Sequence, residues 1–254
     1  MDKKTEYKIL SLACLTGKIM LQNGSEVYRV ENHICQVAEH YGMTPQCFAT
    51  LTCIIITLKN SEGEVISLVE RVTSRTTNLD KVYQVYSLIR NISNYSCDEL
   101  REELLKIENE KPYSFFINVA GNCIGAGFFT FLFSGNIREF LAAFLCGILI
   151  AIATRITDTL KLGTFFTNLL CGGISSGTAC LFLHLGFITD VSIPIISTLI
   201  LVPGVAFINS MRDIFSGDLV TGLSRLGEVA MIGTSIAVGS GIALKLLLNL
   251  GRAY

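Results

Sequence analysis

Tryptophan is missing from this sequence, and only four prolines occur in 254 residues. Charge is scarce as well. Asp, Glu, Lys and Arg make up 16% of the chain, against about a quarter in an ordinary soluble domain. The net charge is −1, so there is no basic surface for nucleic acid. The three histidines, His33, His40 and His184, are not spaced with cysteines as metal ligands. HExxH and the phosphate-binding GxxxxGK(S/T) are both absent, which removes the residues for zinc-protease and P-loop chemistry. No enzymatic activity, cofactor or metal is expected.

What is present is apolar and unevenly spread. Half of the residues are hydrophobic and the mean hydropathy is +0.53. Residues 1–112 hold 13 Lys/Arg and 15 Asp/Glu, and residues 113–254 hold 7 and 6. The chain therefore reads as a soluble-looking half followed by a membrane-like half. Nine cysteines are scattered without a CxxC, and Cys123, Cys146, Cys171 and Cys180 lie in apolar runs. They read as reduced thiols acting as small hydrophobes. The charged start, MDKKTEYKIL, does not resemble a signal peptide. The first half is expected to stay on the side where it is made.

Residues 1–112 predict a small α+β domain, large enough for its own core. Residues 5–22 have helical spacing, and Asn23-Gly24 breaks it. Ser25 can cap the next helix, in which Val27, Val30, Ile34, Val37 and Tyr41 form an apolar face. Beside that face runs a polar stripe of Glu26, Arg29, His33 and Gln36. CFATLTCIIITL, NSEG and EVISLVERV together read as a β-hairpin. Two helices follow, over about 79–92 and from Ser96 to about 109. The second opens on a Ser96–Glu99 capping box.

Residues 113–254 predict five apolar segments, at 113–134, 137–154, 164–184, 192–211 and 226–249. Each approaches the roughly 20 residues needed to span a bilayer. Arg155, Lys161, Arg212 and Arg225 mark the cytoplasmic loops, together with the first domain. Gly121 and Gly125, Gly173 and Gly177, and the series Gly233, Ala237 and Gly241 predict close helix packing.

Polar groups at membrane depth are costly, so they mark packing contacts or a path. Asn118 and Asn122 lie one turn apart in the first segment. Ser175 and Ser176 lie in the third, and Asp158 with Lys161 between the second and third. Pro203-Gly204 interrupts the fourth, and Asn209, Arg212 and Asp213 close it on one face. Arg225 and Glu228 open the fifth. Broken backbone in lipid is tolerated where it is buried in protein or lines a cavity, and transporters use it to hold substrate or ions. Asp213 and Glu228 are the candidates for proton coupling. Arg212 or Arg225 could meet a substrate carboxylate.

Two stretches resemble a known family. NGSEVYRVENHICQVAEHYG and PGVAFINSMRDIFSGDLVTGLSRLGEV resemble the signatures of the threonine/serine exporter (ThrE-like) family, and SRTTNLDKV between them resembles the segment after its hairpin. A soluble domain with five spans looks like the larger subunit of the split, two-subunit form (YjjP-like). The resemblance implies a second small membrane subunit as partner. It also implies export of threonine and serine, or of succinate in split-form relatives. By motif match it points to Glu26, Tyr28, Arg29 and Glu31 in the cytoplasmic domain. In the membrane half it points to Pro203, Gly204, Asn209, Arg212, Asp213, Asp218, Arg225 and Glu228. The chain is thus expected to be an α-helical integral protein of the bacterial inner membrane, with a cytoplasmic N-terminus. Its function is expected to be ion-driven export of a small carboxylate-bearing metabolite. The alternative is a membrane-anchored sensor or scaffold whose soluble domain binds a cytosolic ligand.

Overall fold

The computed structural model describes residues 2–111, 113–196 and 201–251, the last with side chains to 247 and Ile196 as backbone alone. The described chain groups into two compact units. One contains residues 1–111 and 205–226, and the other contains 112–204 and 227–254.

The first unit is α+β. Helices α1 (Lys3–Gln22) and α2 (Val27–His40) precede strands β1 (Thr44–Ala49), β2 (Cys53–Lys59) and β3 (Val65–Arg71). Helices α3 (Leu79–Arg90) and α4 (Cys97–Asn109) follow. The strands form an antiparallel sheet in the order β1-β2-β3, with Ile56 opposite Cys47 on one side and Leu68 on the other. Ile54, Ile56 and Leu58 alternate into the core, where Ile9, Leu12 and Ile19 of α1 and Val30, Ile34 and Val37 of α2 meet them. Pro45, which cannot donate a ladder hydrogen bond, sits on the edge strand β1.

The expected two-stranded hairpin is in fact three strands. CFATLTCIIITL does not run as one strand but turns at Thr50–Thr52. There Thr50 N donates to Cys53 O at 2.8 Å, and Thr52 N donates to Thr50 Oγ1 at 3.4 Å. A hydroxyl serves here in place of Gly or Asn, which left the turn without its usual signal. The Ser96–Glu99 capping box is formed as expected at the start of α4.

The second unit is helical. Helices α5 (Phe115–Leu132), α6 (Ile137–Thr159) and α7 (Gly163–His184) precede the short α8 (Ser192–Ile196). Helix α9 (Gly204–Phe215) carries residues 205–215 into the first unit, and α10 (Leu219–Gly251) ends the described chain. Four helices among the described residues are long and apolar enough to cross a membrane: Phe115–Leu132, Ile137–Thr159, Gly163–His184 and Leu219–Leu247.

The segment expected over 192–211 is not one continuous helix among the described residues. α8 is described as far as Ile196, residues 197–200 lie outside the described part, and 201–203 are not α-helical. Pro203 therefore precedes a helix start rather than kinking a helix interior. The last helix begins at Leu219, not near 226. Asp218 starts it, accepting from Thr221 N through Oδ1 at 3.3 Å and from Gly222 N through its carbonyl at 3.0 Å. Hydropathy locates the apolar window, whereas the cap sets the helix start.

The closest packing centres on glycines beside those expected. A Cβ on Gly147 would lie 2.8 Å from Asn122 O, and one on Gly172 would lie 2.6 Å from Ile236 O. One on Gly239 would overlap Leu169 O. Gly121, Gly233 and Gly241 face open space. Of the expected glycines, Gly173 does face the contact, 3.1 Å from a Cβ on Gly239, so the small-residue rule applies to this helical unit although periodicity alone also selected open faces.

Candidate functional site

The two stretches that carried the family resemblance meet in the first unit, at the start of α2. Glu26, at the N-cap position, gives no side-chain cap to its own helix. The first amides of any helix need partners. Here the partner comes from α9: Val27 N donates to Asp213 Oδ1 at 3.0 Å. Asn209 Nδ2 donates to Gly24 O at 2.9 Å, and Arg225 donates to Ser25 O at 3.2 Å. Arg212 pairs with Glu26 Oε1 at 2.7 Å, while Arg29 Nε lies 3.5 Å from Glu26 Oε2. Arg225 also lies 3.7 Å from Asp213 Oδ2.

Sequence spacing explains why α9 can do this. Asn209, Arg212 and Asp213 stand at i, i+3 and i+4 and share one helix face. The centre of the cluster is also dry, while Arg212 and Arg29 reach solvent. Relative exposure is 0% for Asp213, 6% for Arg225, 6% for Glu26 and 7% for Asn209. Burial pushes the Asp213 carboxyl above its ordinary value, against the pull of Arg225 and the Val27 amide.

A cavity of about 400 Å³ opens beside this junction. Glu26, Arg29, Arg212 and Asn209 line one side, and Tyr83 and Tyr86 of α3 the other. His33 also lines it, with its ring 5.6 Å from Tyr86 and both ring nitrogens buried. Burial, and then the charge of Arg29, lower the His33 pKa. Two guanidiniums against one carboxylate give the cavity a positive balance. The tyrosines were missed in the sequence. Their signal was the series Leu79, Tyr83 and Tyr86, a second apolar stripe on α3 that is exposed.

The remaining expected residues lie elsewhere. Glu31 Oε1 accepts from Ala49 N at 2.6 Å and so anchors the end of β1. Burial raises its pKa against that bond, and the charges of Asp218 and Asp213 raise it further. Tyr28 accepts from Arg29 Nε at 3.1 Å. Glu228 is half-buried on α10. On α5, Asn122 Nδ2 donates to Asn118 O at 3.0 Å, and Asn118 is exposed. Ser175 and Ser176 are fully buried on α7, with hydroxyls that make no hydrogen bond among the described residues. They belong to GISSG, residues 173–177, which fits the spacing of a serine-hydrolase GxSxG. That motif requires a sharp strand-to-helix turn, and here it lies inside α7. Pro203 is half-buried and Gly204 exposed. The arginines expected to await a substrate, Arg212 and Arg225, are engaged with the start of α2. Among the described residues no group of three or more His, Cys, Asp or Glu is placed to hold a metal ion.

Apolar helices of bilayer length and a folded α+β unit define a multi-pass helical membrane protein. Residues 11–247 match the ThrE family model, described as "Putative threonine/serine exporter", and the chain belongs to this family. It is 25% identical to the "Probable threonine/serine exporter" of Mycobacterium tuberculosis over 264 residues, which cover 99% of this chain and 48% of that protein. It is 25% identical to the "Threonine/serine exporter" of Corynebacterium glutamicum over 249 residues, covering 94% and 51%. The chain thus spans about half the length of the curated relatives it matches. No solved structure matches it.

Proposed function

We propose that this chain forms part of a secondary exporter of a small carboxylate-bearing metabolite, threonine or serine in the first instance and a dicarboxylate such as succinate in the second. The observation that carries this reading is the interrupted apolar segment. Helix α9 starts at Gly204, directly after the non-helical Pro203, and presents a buried polar face within a few turns. Such interruptions suit a path through a membrane protein. Family membership and the four apolar helices support the reading. The α+β unit, to which residues 205–226 belong, is then cytoplasmic in a bacterial inner membrane. The resemblance to the split form supports a second small membrane subunit.

The cluster on α2 has a defined part in this proposal. Asp213 ties the residues that follow the interruption to the first turn of α2 and to Arg225. Protonation of Asp213 weakens both ties, which couples an ion gradient to the position of α9. A second reading is favoured by the 400 Å³ cavity, whose positive balance suits a small anion bound by a sensing domain. Efflux of threonine, serine and succinate from loaded cells distinguishes the readings. The exporter reading expects at least one substrate to leave faster than from control cells, and Asp213→Asn to abolish that efflux with membrane insertion intact. Normal efflux from Asp213→Asn removes the coupling role. Efflux of none of the three removes the exporter reading.

A further inference from the structure

A second cavity, of about 540 Å³, lies in the helical unit where α6 ends and α7 begins. Its polar lining is biased toward acceptors. Thr154 Oγ1 donates to Ile150 O at 2.9 Å, and Thr157 Oγ1 donates to Ala153 O at 3.0 Å. Thr167 Oγ1 donates to Gly163 O at 3.0 Å. A hydroxyl has a single proton to give, so each of these keeps only lone pairs for anything that enters. Asn168 gives one N–H to Thr164 O at 2.8 Å and keeps its carbonyl oxygen and one further N–H, so the neutral side chains still offer more acceptors than donors. Asp158 adds a carboxylate.

Against these acceptors the lining supplies one cation, Lys161. Lys161 has φ 53°, in the left-handed region that side chains rarely adopt, and the next turn residue but one, Gly163, has φ 77°. Asp158 and Lys161 are three residues apart, yet they form no ion pair with each other or with another described residue. Their opposite charges face a shared cavity.

We propose that this cavity binds the zwitterionic head of a small α-amino acid. The oxygens of Asp158, Asn168 and the threonines receive its ammonium, and Lys161 receives its carboxylate. The link to transport rests on the exporter reading above. The chemistry also separates the two substrate classes left open there. An ammonium group brings three donors to a lining that needs donors. A dicarboxylate brings none, and would set two anions against one lysine and a row of acceptors. Leu201 closes one wall, two residues before Pro203, and packs on the cluster of Ile150, Ala153 and Cys171. An occupant therefore bears directly on the chain leading into the interruption.

The test is calorimetric binding to the purified full chain in lipid nanodiscs, with L-threonine, its methyl ester and succinate as probes. L-Threonine is expected to bind, and succinate at least about ten-fold more weakly. Asp158→Asn should weaken threonine about ten-fold or more, with Asp158→Glu restoring part of the loss. Lys161→Gln should weaken threonine but not the ester. Both residues are exposed, so each variant should keep the wild-type melting temperature. Succinate binding as tight as threonine overturns the proposal, as does threonine binding unchanged by Asp158→Asn or absent from the wild type. Threonine efflux measured in parallel separates this site from the exporter reading. Wild-type efflux by Asp158→Asn removes the site and leaves the exporter. Binding that depends on Asp158 without efflux of any substrate removes the exporter and leaves the site.

Discussion

The Val27 amide donates to the Asp213 carboxylate at 3.0 Å across 186 residues of sequence. Helix α2 thus receives its N-terminal cap from another helix. A local cap contributes about 1 kcal/mol. This one also balances Arg225 in a dry site, and removing one partner of a buried pair costs about 3–5 kcal/mol. Both Asp213→Ala and Asp213→Asn should lower the melting temperature of the purified chain by leaving Arg225 unbalanced. Asp213→Ala should lower it further, costing about 1 kcal/mol more, because only Asn keeps an acceptor for Val27. Equal melting temperatures for the two variants would contradict this account.

His33 should make the first unit sensitive to acid. Burial and Arg29 lower its pKa below the ordinary 6.5. The unfolded chain then binds the proton more readily than the folded one. His33 contributes stability above pH 6.5 that is lost as pH falls toward the folded value. His33→Phe, which keeps a ring against Tyr86, should flatten the fall in melting temperature between pH 8 and about pH 5. An unchanged slope would refute the assignment.

The glycines of the helical unit offer a paired test. A methyl group on Gly239 overlaps Leu169 O, whereas one on Gly233 meets nothing within 4 Å. Gly239→Ala should destabilise the protein by about 1–3 kcal/mol through overpacking. Gly233→Ala should be neutral or stabilising by up to about 1 kcal/mol through helix propensity. Detergent-solubilised melting curves of the two variants decide it, and the reverse order would show that helices α7 and α10 pack through another face.

Ser96→Ala removes the hydroxyl half of the capping box on α4, in which Ser96 Oγ accepts from Glu99 N at 3.4 Å. The expected loss is about 0.5–2 kcal/mol. Ser96→Asp should recover most of it, because a carboxylate can cap the same amide. Failure of Asp to rescue would mean that the Ser96 side chain acts otherwise than as a cap.

Features with partners close in sequence were legible without the fold. The Ser96–Glu99 box, the apolar stripe of α2 and the apolar windows of α5, α6 and α7 depend on residues three to seven positions apart. The turn at Thr50–Thr52 depends on equally close partners, but Thr50 uses a hydroxyl where Gly or Asn would give a clear signal, so it was read as strand. The polar residues of the candidate site were also legible, because Asn209, Arg212 and Asp213 stand out at the end of an apolar run.

What those polar residues do was not legible. Spacing alone cannot tell a carboxylate that awaits a ligand from one that caps a helix 186 residues away. The same limit applied to Asp158 and Lys161, whose shared cavity exists only once α6 and α7 are folded against Leu201. It applied again to Gly147, Gly172 and Gly239, since every glycine in an apolar helix has the same local signature. The sequence by itself determined composition, periodicity, the local cap of α4 and membership of a family. The tertiary structure decided which polar group meets which, because those hydrogen bonds and contacts join residues that only packing brings within 3–4 Å.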